Sequence, residues 1–248
     1  MIALALLFAL AQAAGPQSHG RLFPPQDLGL LESPDRDEWQ QPDRIMDALA
    51  IADGATVADI GAGAGWFTII LARRVGPNGT VYAEDVQRQM LEAIRRRVSR
   101  EGLLNVQGLL GTSTDPRLPE RAIDAILVVD MYSEVDVDDR VAFLRNLARA
   151  LKSNGRIGIV NYKPGQGGPG PSPTEGVRVE STAVEAASTM SQRGAVTSSI
   201  DDTGSRPVKR YWLWASAGDN CSDAPTHCSS SGCDLSGCRP QKLPNHCH

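Results

Sequence analysis

An aspartate and three closely spaced glycines are the residues best suited to bind a ligand. Asp59 lies near the end of a short apolar run, and Gly61, Gly63 and Gly65 follow it at alternate positions. Residues 66–75 then have the pattern of a helix. A strand, a tight glycine turn and a helix bring bare backbone, free N–H groups and a positive helix end together. The stretch therefore predicts a pocket for a nucleotide-type ligand.

Two details distinguish between such ligands. The dinucleotide fingerprint G-x-G-x-x-G would need a glycine at position 66, where this chain has Trp66. Asp59 would repel a diphosphate but attract a ligand with a cationic amino-acid group. S-adenosyl-L-methionine (SAM) carries an ammonium, a sulfonium and no phosphate. The stretch therefore favours SAM, and a glycine turn without any ligand is the alternative.

A second acidic position ends the next predicted strand, residues 80–85. Asp85 lies 20 residues after Gly65. An acid at the end of the second strand is where ribose hydroxyls are held in folds of this kind. Glu84 competes with Asp85 for that role, because strand side chains alternate and only one of the pair should face the ligand.

The fourth predicted strand, residues 123–132, is nearly all apolar, as a parallel strand buried on both faces must be. Its carboxyl end carries Asp130 and Tyr132, followed by Glu134. We predict that Asp130 contacts the methyl-bearing end of SAM or the acceptor, the molecule that would receive a group from SAM. Tyr132 is the second candidate for that contact, and purely structural roles for both residues are the alternative. A carboxylate is the expected general base.

The amino-acid composition excludes several other kinds of catalytic and metal-binding chemistry. The chain has 248 residues, a net charge of −4 and 41% hydrophobic residues, enough for one sizeable domain and without a general attraction to nucleic acid or anionic membranes. Residues 20–220 contain neither histidine nor cysteine. That region therefore lacks a His or Cys catalytic group, a disulfide and a Cys/His metal site, and no metal is expected.

Strands and helices alternate from residue 43 to about 215, which predicts a doubly wound α/β sheet. The first helix is expected to start at Pro42, the last to cover 182–193, and the fifth strand to cover 156–161. Two further strands are expected at 196–201 and 211–215.

The two ends of the chain have a different character. Residues 1–14 resemble a signal peptide without basic residues at its start, so the expected location is periplasmic, or cytoplasmic if the segment is not a signal. Residues 15–37 are expected to form a linker and 38–215 the SAM-binding domain. Residues 216–248 contain cysteines outside C-x-x-C spacing and are expected to be a disordered tail.

The sequence resembles class I SAM-dependent methyltransferases, in particular bacterial methyltransferase-domain proteins of the type 11/25 kind. Three stretches carry the resemblance: V-A-D-I-G-A-G-A-G from residue 57, V-Y-A-E-D from residue 81 and L-K-S-N-G-R from residue 151. The family implies a Rossmann-like α/β fold, with a mostly parallel seven-stranded sheet and a C-terminal antiparallel hairpin.

Site roles follow from this resemblance. Asp59, Gly61, Gly63 and Gly65 would hold the methionine end of SAM, and the V-Y-A-x-D pattern favours Asp85 over Glu84 for the ribose. The loop at residues 111–119 would pass the adenine, whose amino group would be bound by Asp115 or Thr112; an Asx turn before Pro116 is the alternative for Asp115. The leading helix would place Trp39 and Gln40 over the pocket, or would only cover the sheet edge.

The resemblance is incomplete at one position. Related sequences tend to carry D-x-Y-H after the fourth strand, and this chain has Asp130-Met131-Tyr132-Ser133. The expected function is methyl transfer from SAM to a small-molecule acceptor that the sequence does not identify. Two alternatives use the same sheet: a non-catalytic or degenerate SAM-binding protein, and a nicotinamide-dependent oxidoreductase.

Overall fold

The computed structural model describes residues 22–31, 34–162, 196–201 and 210–216. Helices and strands alternate through this part of the chain, apart from the last two strands, which follow one another. In chain order the elements are α1 (Arg36–Gln40), α2 (Pro42–Ala48), β1 (Thr56–Ile60), α3 (Trp66–Val75), β2 (Thr80–Asp85), α4 (Arg88–Arg100), β3 (Val106–Leu110), β4 (Ile123–Val129), α5 (Arg140–Ala150), β5 (Leu151–Tyr162), β6 (Val196–Asp201) and β7 (Arg210–Ser216).

The strands form one sheet in the order β3-β2-β1-β4-β5-β7-β6. The first five strands of this order pair in parallel, and β7 is antiparallel to both β5 and β6. This arrangement confirms the predicted doubly wound, Rossmann-like fold. The strand order reverses between β1 and β4, and the crevice at such a switch point is where open α/β sheets bind ligands.

The central strands are buried on both faces because helices cover each side. Ala58, Ile60 and Val128 belong to a core cluster with α5 side chains such as Leu144 and Leu147. Their strand neighbours face the opposite way and form a second cluster with α2 and α3, whose members include Val57, Leu127, Met46, Phe67 and Leu71. This double coverage is the physical reason for the nearly continuous apolar run in β4.

Two boundaries differ from the predictions. Strand β4 ends at Val129 rather than at residue 132, because Asp130 takes a left-handed backbone with φ 54°. Strand β5 begins at Leu151, directly after α5, instead of at Arg156. The Asn154-Gly155 pair is a turn signal that predicts the end of the helix before β5, but it falls in an irregular stretch of β5 itself, where pairing moves from Ile123–Leu151 to Ala125–Arg156.

Helix α2 begins at Pro42 as predicted, and a short additional helix, α1, precedes it and is separated from it by Gln41, whose φ is 51°. A 3-10 helix at Pro25–Leu31 lies within the segment expected to be a linker, and Ser216 belongs to β7 rather than to the expected tail. The signal-like segment, the helix predicted at 182–193 and the Cys-containing tail after Ser216 lie outside the described residues. Among the helices that are described, none has the length and apolar character needed to cross a bilayer.

Candidate active site

The glycine turn between β1 and α3 forms the floor of the candidate site. Gly61 and Gly65 have φ values of 64° and 78°, a left-handed conformation that glycine adopts without steric cost. A Cβ atom at Gly61 would lie 2.5 Å from Met131 Cγ, and one at Gly65 would lie 3.0 Å from Ile94 Cγ1. Both glycines are therefore required by backbone conformation and by close packing.

Asp59 lies on β1 just before this turn and is only 3% exposed. One carboxylate oxygen accepts a 2.6 Å hydrogen bond from the Thr68 hydroxyl of α3. Burial raises the pKa of Asp59 to about 6, and the Thr68 hydrogen bond and the charge of Arg36 partly oppose that rise. A partly desolvated carboxylate of this kind is stabilised in its charged form when a cationic ligand group binds beside it.

Glu84 and Asp85 both contact the backbone of the glycine turn, although they are neighbours on β2; which of them faces the ribose stays a prediction. The Gly61 N–H donates to Glu84 at 3.3 Å, and the Gly63 N–H donates to Asp85 at 3.0 Å. Asp85 also accepts from the Gln87 N–H at 2.9 Å. Strict alternation fails here because Asp85 is the last residue of β2, where the chain turns toward α4. Burial raises the pKa of Asp85, and it raises that of Glu84 well above its ordinary value.

Asp59, Glu84 and Asp85 thus form a cluster of buried carboxylates around the glycine turn; we call it the acidic cluster. The charge of Asp85 raises the pKa of both other members, so the three side chains interact electrostatically. No group of three or more ligating side chains in the described part of the chain has the geometry to hold a metal ion. The cluster disfavours phosphate and fits a ligand with an ammonium, a sulfonium and ribose hydroxyls, which is the chemistry of SAM.

Arg36 is a charged neighbour of the site that the sequence reasoning did not identify. Its guanidinium carbon lies 4.3 Å from the centroid of the Trp66 ring, within the range of a cation–π interaction. Trp66 directly follows the last glycine of the turn, so α1 places a positive charge beside it. The only sequence feature that pointed to Arg36 was its position one helical turn before Gln40, a residue that the resemblance places near the pocket.

Asp115 lies in the loop after β3, next to the site but mainly exposed. Its carboxylate accepts a 2.8 Å hydrogen bond from the Arg117 N–H, which is the Asx turn given as the alternative above. The charge of Asp115 reaches Glu84 and contributes to its raised pKa. The adenine contact assigned to Asp115 stays a prediction.

Asp130 and Met131 follow β4 on the other side of the turn. The Asp130 N–H donates to the Val160 carbonyl at 2.8 Å, and Asp130 Oδ1 is buried. Met131 packs against Gly61, so the chain leaves β4 beside the glycine turn. The left-handed backbone of Asp130 is a local strain of the kind that concentrates at functional sites. Met131 was missed because a methionine in an apolar run gives no chemical signal.

Tyr132 lies in a different environment from the one expected. Its side chain is fully buried in the core cluster, with its ring centroid 6.5 Å from that of Phe143. The guanidinium carbon of Arg140 lies 5.3 Å from the same ring. The strand ends before Tyr132, and the 3-10 helix at Tyr132–Glu134 turns the ring toward α5. Tyr132 therefore supports the fold here instead of lining the site.

Comparison with known proteins gives an independent line of support. A family model described as "Methyltransferase domain" matches residues 57–155, which include every member of the acidic cluster and Asp130. A SAM-dependent methyltransferase from Aquifex aeolicus superposes with a TM-score of 0.71 and 26% identity, covering 79% of this chain and 100% of that one.

Curated relatives cover the same region. Nocamycin O-methyltransferase of Saccharothrix syringae is 32% identical over 49% of this chain and 42% of its own length. Aklanonic acid methyltransferase of a Streptomyces species is 31% identical over 48% of this chain and 53% of its own length. Demethylmenaquinone methyltransferase of Listeria monocytogenes is 26% identical over 50% of this chain and 51% of its own length. The chain thus spans about half the length of these relatives. With the glycine turn, the acidic cluster and the sheet order, these matches support a class I SAM-dependent methyltransferase domain in this chain, with SAM as its cofactor.

Proposed function

We propose that this protein transfers a methyl group from SAM to a small-molecule acceptor. The observation that carries the proposal is the acidic cluster, which places three buried carboxylates around a glycine turn at the switch point of the sheet, two of them hydrogen-bonded to the backbone of the turn. The relatives named for nocamycin, aklanonic acid and demethylmenaquinone support an acceptor of low molecular weight.

The residues divide into groups with different tasks. Asp59 and the glycine turn bind the methionine end, Asp85 holds the ribose hydroxyls, and Asp115 lies on the adenine side. When bound, SAM supplies a methyl group that the neighbouring sulfonium makes electrophilic. The protein then has to hold the acceptor in line with that methyl group, and positioning of this kind can account for most of the acceleration.

Asp130 is the proposed general base. It lies beside the glycine turn, and Oδ1 is removed from solvent. A hydroxyl or amine acceptor that must lose a proton would pass it to this carboxylate, since residues 20–220 contain no histidine. If the acceptor is already a nucleophile, Asp130 serves only to orient it.

The test is a methyl-transfer screen with the full-length chain, SAM carrying a labelled methyl group and a fractionated metabolite extract. We expect label in a low-molecular-weight fraction, with a rate reduced about 100-fold or more by Asp130→Asn, as expected on removal of a general base. Asp138→Asn changes an exposed aspartate and is the matched control. SAM binding without transfer to any fraction would favour the non-catalytic alternative, and transfer only to macromolecules would overturn the small-molecule acceptor.

A further inference from the structure

The side chain of Gln40 is buried without a hydrogen-bond partner. It is 1% exposed, and neither Nε2 nor Oε1 makes a hydrogen bond to any of the described residues. A primary amide can donate two hydrogen bonds and accept two, so this arrangement leaves its whole capacity unused. Burying such a group without partners destabilises the folded state, so in natural proteins it is rare and is usually completed by water or by a ligand at a functional site.

Gln40 lies just before helix α2, which packs against β5. Two contacts show that α2 ends near the start of the regular part of β5. Arg156 Nη1 donates to the carbonyl of Ala48, the last residue of α2, at 3.4 Å, and a Cβ atom at Gly158 would contact Leu49, the next residue. Residue 40 precedes α2 by two positions. Met46 of α2 belongs to the same buried core cluster as Val160 of β5, and the Val160 carbonyl accepts a hydrogen bond from the Asp130 N–H.

A second observation places Gln40 at the methionine side of the site. Residues four apart on a helix share one face, so Gln40 lies one turn from Arg36 on α1. The Arg36 guanidinium stacks on Trp66, at the end of the glycine turn, and its charge acts on the Asp59 carboxyl. One end of the site therefore contains a positive charge, a negative charge and an unused amide.

We infer that Gln40 binds the zwitterionic amino-acid end of SAM, its Nε2 donating to the carboxylate and its Oε1 accepting from the ammonium. This deepens the proposed function and rests on it. In the same arrangement Arg36 attracts the carboxylate and Asp59 attracts the ammonium. A zwitterion satisfies all three groups at once, whereas an apolar or purely anionic ligand would leave Asp59 or the Gln40 carbonyl oxygen without a partner.

The experiment compares two ligands by calorimetry on the full-length protein. S-adenosylhomocysteine has the amino-acid end, and 5′-methylthioadenosine has the adenosine and the thioether but lacks it. We expect Gln40→Met to raise the Kd of S-adenosylhomocysteine about 10- to 100-fold and to leave the Kd of 5′-methylthioadenosine unchanged. The melting temperature of the ligand-free variant should equal or exceed that of the wild type, because an apolar side chain replaces an unsatisfied amide.

Gln89→Met is the matched control, since Gln89 is exposed on α4. Gln40→Ala removes the amide by truncation and provides the same measurement if methionine does not fit. Equal losses for the two ligands, or unchanged affinity for S-adenosylhomocysteine, would overturn the role of Gln40 while leaving SAM binding intact. Failure of the wild type to bind S-adenosylhomocysteine would instead contradict the proposed function, and the assignment of Gln40 with it.

Discussion

Asp59 couples the protonation of the site to the stability of the protein. Its pKa is about 6 in the folded chain and near 3.8 when unfolded, so the folded state binds more protons between these values. The stability of the SAM-free protein should therefore rise as the pH falls from 7.5 to 5.5. Glu84 and Asp85 act in the same direction, because burial raises the pKa of each. SAM binding favours the ionised carboxylates, so SAM affinity should fall over the same range.

Asp59→Asn tests this coupling. The asparagine keeps an acceptor for the Thr68 hydroxyl and removes the charge, so at pH 8 we expect the SAM-free variant to gain about 2 kcal/mol in urea unfolding. Its SAM affinity should fall at least about tenfold, through loss of a charge-assisted hydrogen bond. If the variant is less stable than the wild type at pH 8, or binds SAM equally well, Asp59 does not have this role.

Asp85 is the predicted ribose ligand. Asp85→Ala should weaken SAM binding by about 1.5–3 kcal/mol, because the ribose hydroxyls lose a charged acceptor. The Gly63 and Gln87 N–H groups lose their acceptor as well, so the folded state of the variant must be checked by circular dichroism before affinities are compared.

Glu84→Gln is the matched variant, because it keeps an oxygen that can accept from the Gly61 N–H. It should affect SAM binding less than Asp85→Ala. Undiminished binding in Asp85→Ala together with a large loss in Glu84→Gln would move the ribose contact to Glu84.

At the scale of elements, the end of β4 separates the proposed general base from a tyrosine that is buried in the core. Asp130 leaves the strand beside the glycine turn, whereas Tyr132 packs into the core against α5. We expect Asp130→Asn to lower kcat about 100-fold and Tyr132→Phe to leave it within about twofold. Tyr132→Ala should lower the free energy of unfolding by about 3–5 kcal/mol, as removal of a large buried ring does.

Steady-state kinetics and urea unfolding on the same three variants measure both effects. Full activity in an Asp130→Asn, Tyr132→Phe double variant would remove both side chains from the chemistry and leave positioning as the whole account. A large loss of kcat in Tyr132→Phe alone would restore the original expectation that its hydroxyl acts in the reaction.

Elements with strong local signals were predictable from sequence. Helix α3 and strand β2 have the expected bounds, because glycine and proline signals or acidic residues mark their ends. The end of β4 was not predictable, since the apolar pattern continues to Tyr132 and only the left-handed backbone of Asp130 stops the strand. The β5 irregularity was also missed, because Asn154-Gly155 has the same local signal in a turn and in a bulged strand.

The site was predictable only in part. The glycine turn, Asp59 and Asp85 follow from residue types and spacing along the chain. The contact of Glu84 with Gly61 depends on the exact end of a strand, and the contact of Arg36 with Trp66 depends on how α1 packs; the resemblance placed Gln40 near the pocket but did not predict its burial. These are contacts between segments distant in sequence, which local patterns do not encode.

At the scale of the whole molecule, SAM should stabilise the native state. A ligand present at about 100 times its Kd adds about 2.7 kcal/mol to the free energy of unfolding if it binds only the folded chain. For a domain of this size that corresponds to a rise in melting temperature of about 5–10 °C. Differential scanning fluorimetry at rising SAM concentrations measures it, and a melting temperature independent of SAM would mean that the folded chain does not bind it.

The central claim is that the glycine turn and acidic cluster select SAM over a phosphate-bearing dinucleotide. The most direct test is isothermal titration calorimetry on the full-length protein. SAM and NAD are each titrated alone and in the presence of S-adenosylhomocysteine. We predict one SAM site per chain, competition by S-adenosylhomocysteine, weaker SAM binding in Asp85→Ala, and no heat with NAD at the same concentrations. Binding of NAD without binding of SAM would contradict the account and favour the nicotinamide-dependent alternative.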